Sequence, residues 1–160
     1  MWFRTVGYSG LILISWVIMT FTHEIGHILV GQCGGGKLIA YELLPWRIPY
    51  SLFSPDPNPL ITLWGGLISG VLLPWILAIV VRQNWLQIIS GFCILANGLY
   101  ISTGWFIDAP HLDTQRLLKF GANPIPIILY CLVCLLIGYR MFRNSSIRFF
   151  QDEKNVADSV

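Results

Sequence analysis

The sequence predicts an all-α integral membrane protein with about four transmembrane helices, a membrane-associated loop rich in glycine and proline, and a short amphipathic helix. Three observations lead to this prediction. Of the 160 residues, 55% are hydrophobic and only 11% are charged, whereas soluble domains carry about 25% charged residues. Four long segments contain no charged residue at all. Each of them reaches or approaches the ~20 residues that cross a hydrocarbon layer about 30 Å thick.

The positions of charges and helix breakers define the four spans. The first is predicted at residues 5–22, continuing as helix through two histidines to residue 30, and the others at residues 60–81, 84–107 and 123–139. Prolines 124 and 126 suit the first turn of the fourth span, where a missing N–H costs no helical hydrogen bond. The first segment is too long for a signal peptide and lacks a small-residue cleavage site, so it is interpreted as a retained span.

The connections differ in length and character. Residues 34–59 open with three glycines and carry five prolines among large apolar side chains, so this loop is predicted to lie on or dip into the membrane surface. Within it, Leu38 to Leu44 is expected to form a short strand or hairpin. After the third span, a short amphipathic helix is predicted to begin at Asp113 and to stop at Gly121.

Length and charge limit the domain organisation and the partners. One membrane-embedded domain at residues 1–143, followed by a polar and frayed tail at residues 144–160, accounts for the whole sequence. The net charge of +2 is small and spread along the chain, so nucleic-acid binding is not expected. The predicted setting is a multi-pass protein in a lipid bilayer, and the sequence does not indicate an oligomeric state.

Residues 23–27 form an H-E-x-x-H motif inside the apolar first span. Ionisable side chains at membrane depth are expensive and indicate a functional site. On a helix, residues four apart lie on one face, so His23 and His27 can present two imidazoles to one Zn²⁺. Glu24 is then placed to take a proton from the attacking water and to deliver it to the leaving amine. The motif therefore predicts a metal-dependent peptidase in or at a membrane.

A catalytic zinc usually has three protein ligands, and the sequence offers four candidates for the third. Two further crossings return the chain to the same membrane side at the end of the third span, where Asp108, His111 and Asp113 lie; Glu42 follows the first span. Each has a simpler interpretation, for example Asp113 as a helix N-cap, Asp108 as a turn residue and Glu42 as the partner of a surface cation. The residues alone leave the choice open.

These motifs resemble those of the site-2 protease family of intramembrane zinc metalloproteases, the M50 peptidases. The resemblance extends from residue 8 to residue 121 and rests on the following segments: His23-Glu-Ile-Gly-His27 with the glycine cluster after it, Gly65-Gly66 early in the second span, and Pro110-His-Leu-Asp113. Two positions differ from the family pattern. Thr114 stands where a glycine is usual, and no asparagine stands just before Pro110, the nearest being Asn97.

The resemblance implies a zinc endopeptidase that hydrolyses peptide bonds in or near transmembrane segments of other proteins, in the inner membrane of a bacterium. It implies that His23, His27 and Asp113 bind the zinc and that Glu24 is the catalytic carboxylate. The apolar loop at residues 34–59 is then expected to pair with an extended substrate as an edge strand.

Two other classes of function compete with this interpretation. A non-hydrolytic membrane scaffold or chaperone would keep the metal site for structure, and would then not need Glu24. A metal transporter would carry more ionisable residues in the later spans, where Asn97 is the only strong polar group at depth. Asn97 is expected to find a hydrogen-bond partner in a contact between helices.

Membrane orientation follows from the count of Lys and Arg on each side. The side shared by the termini and the turn after the second span has six: Arg4, Arg82, Arg140, Arg143, Arg148 and Lys154. The other side has four: Lys37, Arg47, Arg116 and Lys119. The positive-inside rule thus favours both termini in the cytoplasm, whereas the family resemblance implies a metal site near the cytoplasm.

Overall fold

The computed structural model of the chain describes residues 2–107 and 109–157, with side chains from residue 4 to residue 107 and from 109 to 151. Its elements, in chain order, are α1 Trp2–Cys33, β1 Leu38–Glu42, β2 Tyr50–Phe53, α2 Pro59–Val81, α3 Asn84–Thr103, α4 Asp113–Lys119 and α5 Pro124–Ala157. Helices α1, α2, α3 and α5 are long and apolar enough to cross a membrane. The prediction of a mostly helical protein with four apolar helices is therefore confirmed.

Proline and glycine positions account for several helix ends. Pro59 occupies the first turn of α2 and Arg82 ends it in the left-handed conformation, at φ 57°, where its N–H donates to the carbonyl of Ala78 at 3.1 Å. Helix α3 ends at Thr103, four residues before the predicted end of the third span at residue 107. The next residue, Gly104, packs closely on α4, since a Cβ there would come within 2.5 Å of the Thr114 Cβ.

The long helices pack through glycines, as is usual where lipid supplies no hydrophobic drive between helices. Between α1 and α2, a Cβ on Gly26 would lie 2.5 Å from the Gly65 carbonyl oxygen. Between α3 and α5 the close contacts are Gly91 with Phe142, Gly98 with Cys134, and Gly138 with Leu95. At these contacts the helix axes lie closer together than they could if the glycines carried side chains.

A two-stranded antiparallel hairpin follows α1, and it is the one departure from an all-α fold among the described residues. Its base is closed by Ser54 N donating to Lys37 O at 2.9 Å and by Lys37 N donating to Pro55 O at 3.0 Å. Its tip exposes large apolar side chains, with Trp46 at 75% and Ile48 at 80%. This strand pair confirms the expectation of a strand or hairpin within the loop.

Helix α4 is short, and its position depends on one core side chain. Leu117 is fully buried in a cluster with Leu63, Leu67, Ile101, Ile127 and Cys131. Thr114 adds a hydrogen bond from its Oγ1 to the Ile101 carbonyl at 2.6 Å. Together these contacts fix α4 against α2, α3 and α5, and with it the side chain of Asp113.

The prediction of a frayed tail beyond residue 143 is wrong for the part that the structure describes. Helix α5 continues unbroken to Ala157, because residues 144–157 contain neither glycine nor proline. This extension packs on the start of α1. Tyr8 Oη and Ser146 Oγ share a hydrogen bond of 2.7 Å, and Arg4 donates to the Phe149 carbonyl at 2.8 Å.

Candidate metal centre

Three atoms of ligand type form a nearly equilateral triangle inside the bundle. His23 Nε2 lies 2.8 Å from Asp113 Oδ2, His27 Nε2 lies 3.2 Å from the same oxygen, and the two Nε2 atoms lie 3.1 Å apart. All three side chains are buried. On a tetrahedral zinc with bonds of 2.0–2.2 Å, neighbouring ligand atoms stand about 3.3 Å apart. The triangle therefore needs to widen by only tenths of an ångström to accept the ion.

The His27 ring is held with one nitrogen facing the triangle. Its Nδ1 lies 2.9 Å from the carbonyl oxygen of Thr62 in the first turn of α2. Because a carbonyl oxygen only accepts, Nδ1 carries the proton and the Nε2 lone pair is available to a metal. Gly66 makes room for the ring, since a Cβ at that position would overlap it.

The His23 ring has a different environment. Its Nδ1 has no hydrogen-bond partner among the described residues, and neither amide atom of Asn97 has one. The two side chains meet beside Gly70, where a Cβ would touch both. Asn97 thus makes the expected contact between helices, but without the expected hydrogen bond. On the open side of the site, the Tyr100 ring stands edge-on to His23 at 5.5 Å between centroids.

Glu24 points to the same site from the next position on α1. One oxygen of its carboxylate lies within 4.8 Å of a ligand nitrogen of each histidine. Its Oε2 accepts a hydrogen bond of 2.7 Å from Ser51 Oγ on β2. Both side chains are buried, so the carboxylate is enclosed beside the triangle rather than in solvent.

Asp113 is the third corner of the triangle and is not a helix cap. Leu112 occupies the N-cap position of α4 without a side-chain cap, so the N-cap interpretation of Asp113 is wrong. Its other oxygen, Oδ1, lies 3.8 Å from Arg116 NH1. The Asp113 carboxylate thus faces the two histidine Nε2 atoms through Oδ2 and Arg116 through Oδ1.

The other candidates for a third ligand stand apart from the triangle or outside the description. Glu42 binds its own turn: its carboxylate accepts from the N–H groups of Leu44 and Leu43 at 3.1 Å and from Arg47 at 3.0 Å. These hydrogen bonds lower the pKa of Glu42. His111 is exposed and lines the cavity in front of the site. Asp108 lies outside the described residues.

The charges in the site favour a divalent cation. With neutral imidazoles, Glu24 and Asp113 bring two negative charges into a largely apolar interior. Arg116 is the only cation that the described residues place within 4 Å of either carboxylate, and it reaches only Oδ1 of Asp113. Buried charges need partners or a metal. Two imidazoles and one carboxylate, with a further carboxylate beside them, are also the donor set of hydrolytic zinc sites.

A cavity of about 130 Å³ opens in front of Glu24 and His23. Its walls come from α1, the hairpin, α3 and the segment before α4, through Trp16, Met19, Thr20, Ile48, Pro49, Tyr100, His111 and Leu112. A wider recess of about 420 Å³ adjoins it between β2 and the start of α4. The lining of this recess is largely apolar.

Sequence reasoning did not identify Ser51, Thr62 or Tyr100 as parts of the site. Ser51 and Thr62 are small hydroxyl residues, common in loops and at helix starts, so neither stands out in the sequence. Tyr100 could have been suspected from its position, since it lies near the end of the predicted third span. That end is on the same side of the membrane as His111 and Asp113. Their roles depend on contacts between residues far apart in the chain. Ser51 contacts Glu24 across 27 residues, Thr62 contacts His27 across 35, and Tyr100 contacts His23 across 77.

The chain was compared with protein-family models, with curated proteins and with solved structures. No family model matches it, and no curated protein or solved structure matches it either. The resemblance to the site-2 proteases therefore rests on the sequence segments alone: residues 23–27 with the glycine cluster after them, Gly65-Gly66, and residues 110–113.

Proposed function

We propose that this protein is a membrane-embedded zinc metallopeptidase of the site-2 protease type. It would hydrolyse peptide bonds in or next to transmembrane segments of other proteins. The observation that carries the proposal is the triangle of His23, His27 and Asp113, closed by residues 90 positions apart, with the carboxylate of Glu24 enclosed beside it. A local motif with no function would not need a distant carboxylate at hydrogen-bond distance from both histidines.

The depth of the site supports cleavage within a membrane. His27 lies opposite Gly66 and His23 opposite Gly70 of α2. At 1.5 Å per residue, these positions lie about 10 Å and 16 Å along α2 from its start at Pro59. An apolar helix of 23 residues is long enough to span the hydrocarbon layer, so these positions would lie well below the membrane surface.

The described residues fit distinct roles in peptide hydrolysis. His23, His27 and Asp113 would hold the zinc, which supplies Lewis acidity toward water and toward a peptide carbonyl. Glu24 is not one of the three corners of the triangle, and among the described residues its carboxylate accepts a hydrogen bond only from Ser51. It is therefore placed to take a proton from water and return it to the leaving amine. The apolar walls exclude bulk water and strengthen the electrostatic interactions inside.

The hairpin supports an extended substrate. A helical transmembrane segment hides its carbonyl groups in internal hydrogen bonds, so the substrate has to unwind before hydrolysis. Within the described part of the chain, strand β2 pairs with β1 alone, and its residues Tyr50 and Leu52 line the wider recess beside the site. An added strand along β2 would satisfy the backbone of the unwound segment and would lead it past Glu24.

Resemblance to small bacterial members of the family makes the inner membrane of a bacterium the proposed location. The proposed metal is zinc, because a buried set of two imidazoles and one carboxylate suits it. The proposed partners are a membrane-protein substrate and the bilayer.

The variant Glu24→Gln tests this function. If Glu24 moves protons and does not bind metal, the variant should keep near-stoichiometric zinc and lose several orders of magnitude in the rate of cleaving a model transmembrane peptide. His23→Ala is the matched control, which should lose both zinc and activity. Zinc content is measured on detergent-purified protein. If Glu24→Gln kept substantial activity, or wild type cleaved no transmembrane peptide, the hydrolase proposal would fail and a scaffold with a structural metal would replace it.

A further inference from the structure

Strand β2 directs a single side chain at the catalytic site. Its central residues alternate, with Tyr50 and Leu52 exposed and Ser51 only 3% exposed. The alternation follows from strand geometry, in which successive side chains point to opposite faces. A small hydroxyl residue, rather than the apolar residue expected on a buried face, is thus one of the contacts between the hairpin and helix α1.

Among the described residues, the Ser51 hydroxyl group is the one hydrogen-bond donor to the Glu24 carboxylate. Ser51 Oγ lies 2.7 Å from Glu24 Oε2, and the two residues are 27 positions apart in the chain. Glu24 is only 6% exposed, and a buried carboxylate without a donor is strongly disfavoured. Charge-assisted hydrogen bonds of this length are among the stronger ones in proteins. The bond therefore restricts the rotamer of Glu24 as well as the position of β2.

The rest of the hairpin is attached elsewhere, so Ser51 has a distinct role. At its base the Phe53 ring occupies the space beside Gly31 and Gly36, where an added Cβ would come within 2.6 Å and 2.9 Å of ring carbons. Near its tip, Trp16 Nε1 of α1 donates to the Pro45 carbonyl at 3.4 Å. Neither attachment reaches the metal centre. Ser51 alone connects the strand to a residue that faces the triangle.

We infer that Ser51 is a positioning residue, and that its hydrogen bond couples the hairpin to the general base. Because β2 carries both Ser51 and the edge proposed to receive the substrate, one rigid segment sets the place of the substrate backbone and the orientation of the Glu24 carboxylate. The catalytic half of this inference rests on the proposed function. The coupling between hairpin and Glu24 does not, and can be measured without any substrate.

Kinetics test the catalytic half with three serine variants in zinc-loaded, full-length protein. Ser51→Ala should lower kcat by about 10- to 100-fold, the cost of a misplaced catalytic group, with zinc content and KM for a synthetic transmembrane peptide unchanged. Ser51→Thr, which keeps the hydroxyl on a β-branched side chain suited to a strand, should recover most of the loss. Ser54→Ala is the control, since Ser54 lies just after β2 with an exposed side chain. A wild-type kcat for Ser51→Ala would overturn the inference and leave the proposed function standing.

Hydrogen exchange tests the coupling without catalysis. In Ser51→Ala and in Glu24→Ala, the backbone amides of residues 38–53 should exchange about tenfold faster than in wild type, as expected for the loss of one hydrogen bond to a charged group. The double variant should exchange no faster than either single variant, because both remove the same bond. Exchange that is unchanged, or additive in the double variant, would overturn the coupling. Since this result needs no peptide cleavage, it decides the coupling even if the protein proves not to be a peptidase.

Discussion

Gly66 of α2 leaves the space that the imidazole of His27 on α1 occupies: a Cβ at this position would overlap ring atoms of that histidine. The ring is also fixed from its other nitrogen by the carbonyl of Thr62, one turn earlier on α2. Helix α2 thus shapes the site without supplying a ligand. Its backbone determines the ring orientation, and a glycine is required for that approach.

Replacement of Gly66 by alanine should therefore damage the site more than the fold. The added methyl group must displace the His27 ring, so zinc affinity should fall by about 10-fold or more, in the range seen when residues that orient metal ligands are changed. Zinc titration of the purified variant and of wild type measures this change in affinity. Gly10→Ala is the matched control, because nothing lies within 4 Å of a Cβ at Gly10. Equal zinc affinity in both variants would contradict this account of the site.

Asp113→Ala should abolish tight zinc binding, with a loss of at least about 100-fold in affinity, because it removes one corner of the triangle and leaves two imidazoles. Glu42→Ala should leave zinc affinity unchanged, since its carboxylate is bound to the hairpin turn. His111→Ala should likewise keep the metal. If Glu42→Ala or His111→Ala lost zinc while Asp113→Ala retained it, the third ligand would have to be reassigned.

The contact between α1 and the end of α5 should contribute to stability. Tyr8→Phe removes the hydrogen bond to Ser146, worth about 1 kcal/mol, which corresponds to a fall in Tm of about 2 to 4 °C for a chain of this length. Tyr139→Phe is the control, since that side chain is exposed on α5. Thermal unfolding in detergent measures both variants. An unchanged Tm in Tyr8→Phe would mean that the extension of α5 is not held against α1.

Orientation can be measured with a reporter fused after residue 160. The positive-inside rule counts six cations on the side of the termini against four on the other, so both termini should lie in the cytoplasm. An alkaline phosphatase fusion is then expected to be inactive and a green fluorescent protein fusion to be fluorescent. The reverse pattern would place the termini outside and the metal centre toward the cytoplasm, as the family resemblance implies.

Features that depend on local order along the chain could be predicted from the residues. Runs of apolar residues without charge established the four long helices, since each must satisfy its backbone internally in a membrane. The spacing of His23 and His27 placed both imidazoles on one helical face, because four residues make about one turn. Asp113 as the start of a short helix also followed from local signals, and Gly121 ends the turn after it with a positive φ of 83°.

The distant residues that complete the site depend on how the helices and the hairpin pack. The residues alone left Asp108, His111, Asp113 and Glu42 open as ligands, and the burial of Leu117 is what brings α4 and Asp113 to the histidines. The Thr114 hydroxyl group bonds the Ile101 carbonyl, and Gly104 gives that side chain room. The bond from Ser51 to Glu24 is likewise set by how the hairpin lies on α1. Helical period is a local property, whereas these contacts depend on how separate elements pack, which no pattern along one segment encodes.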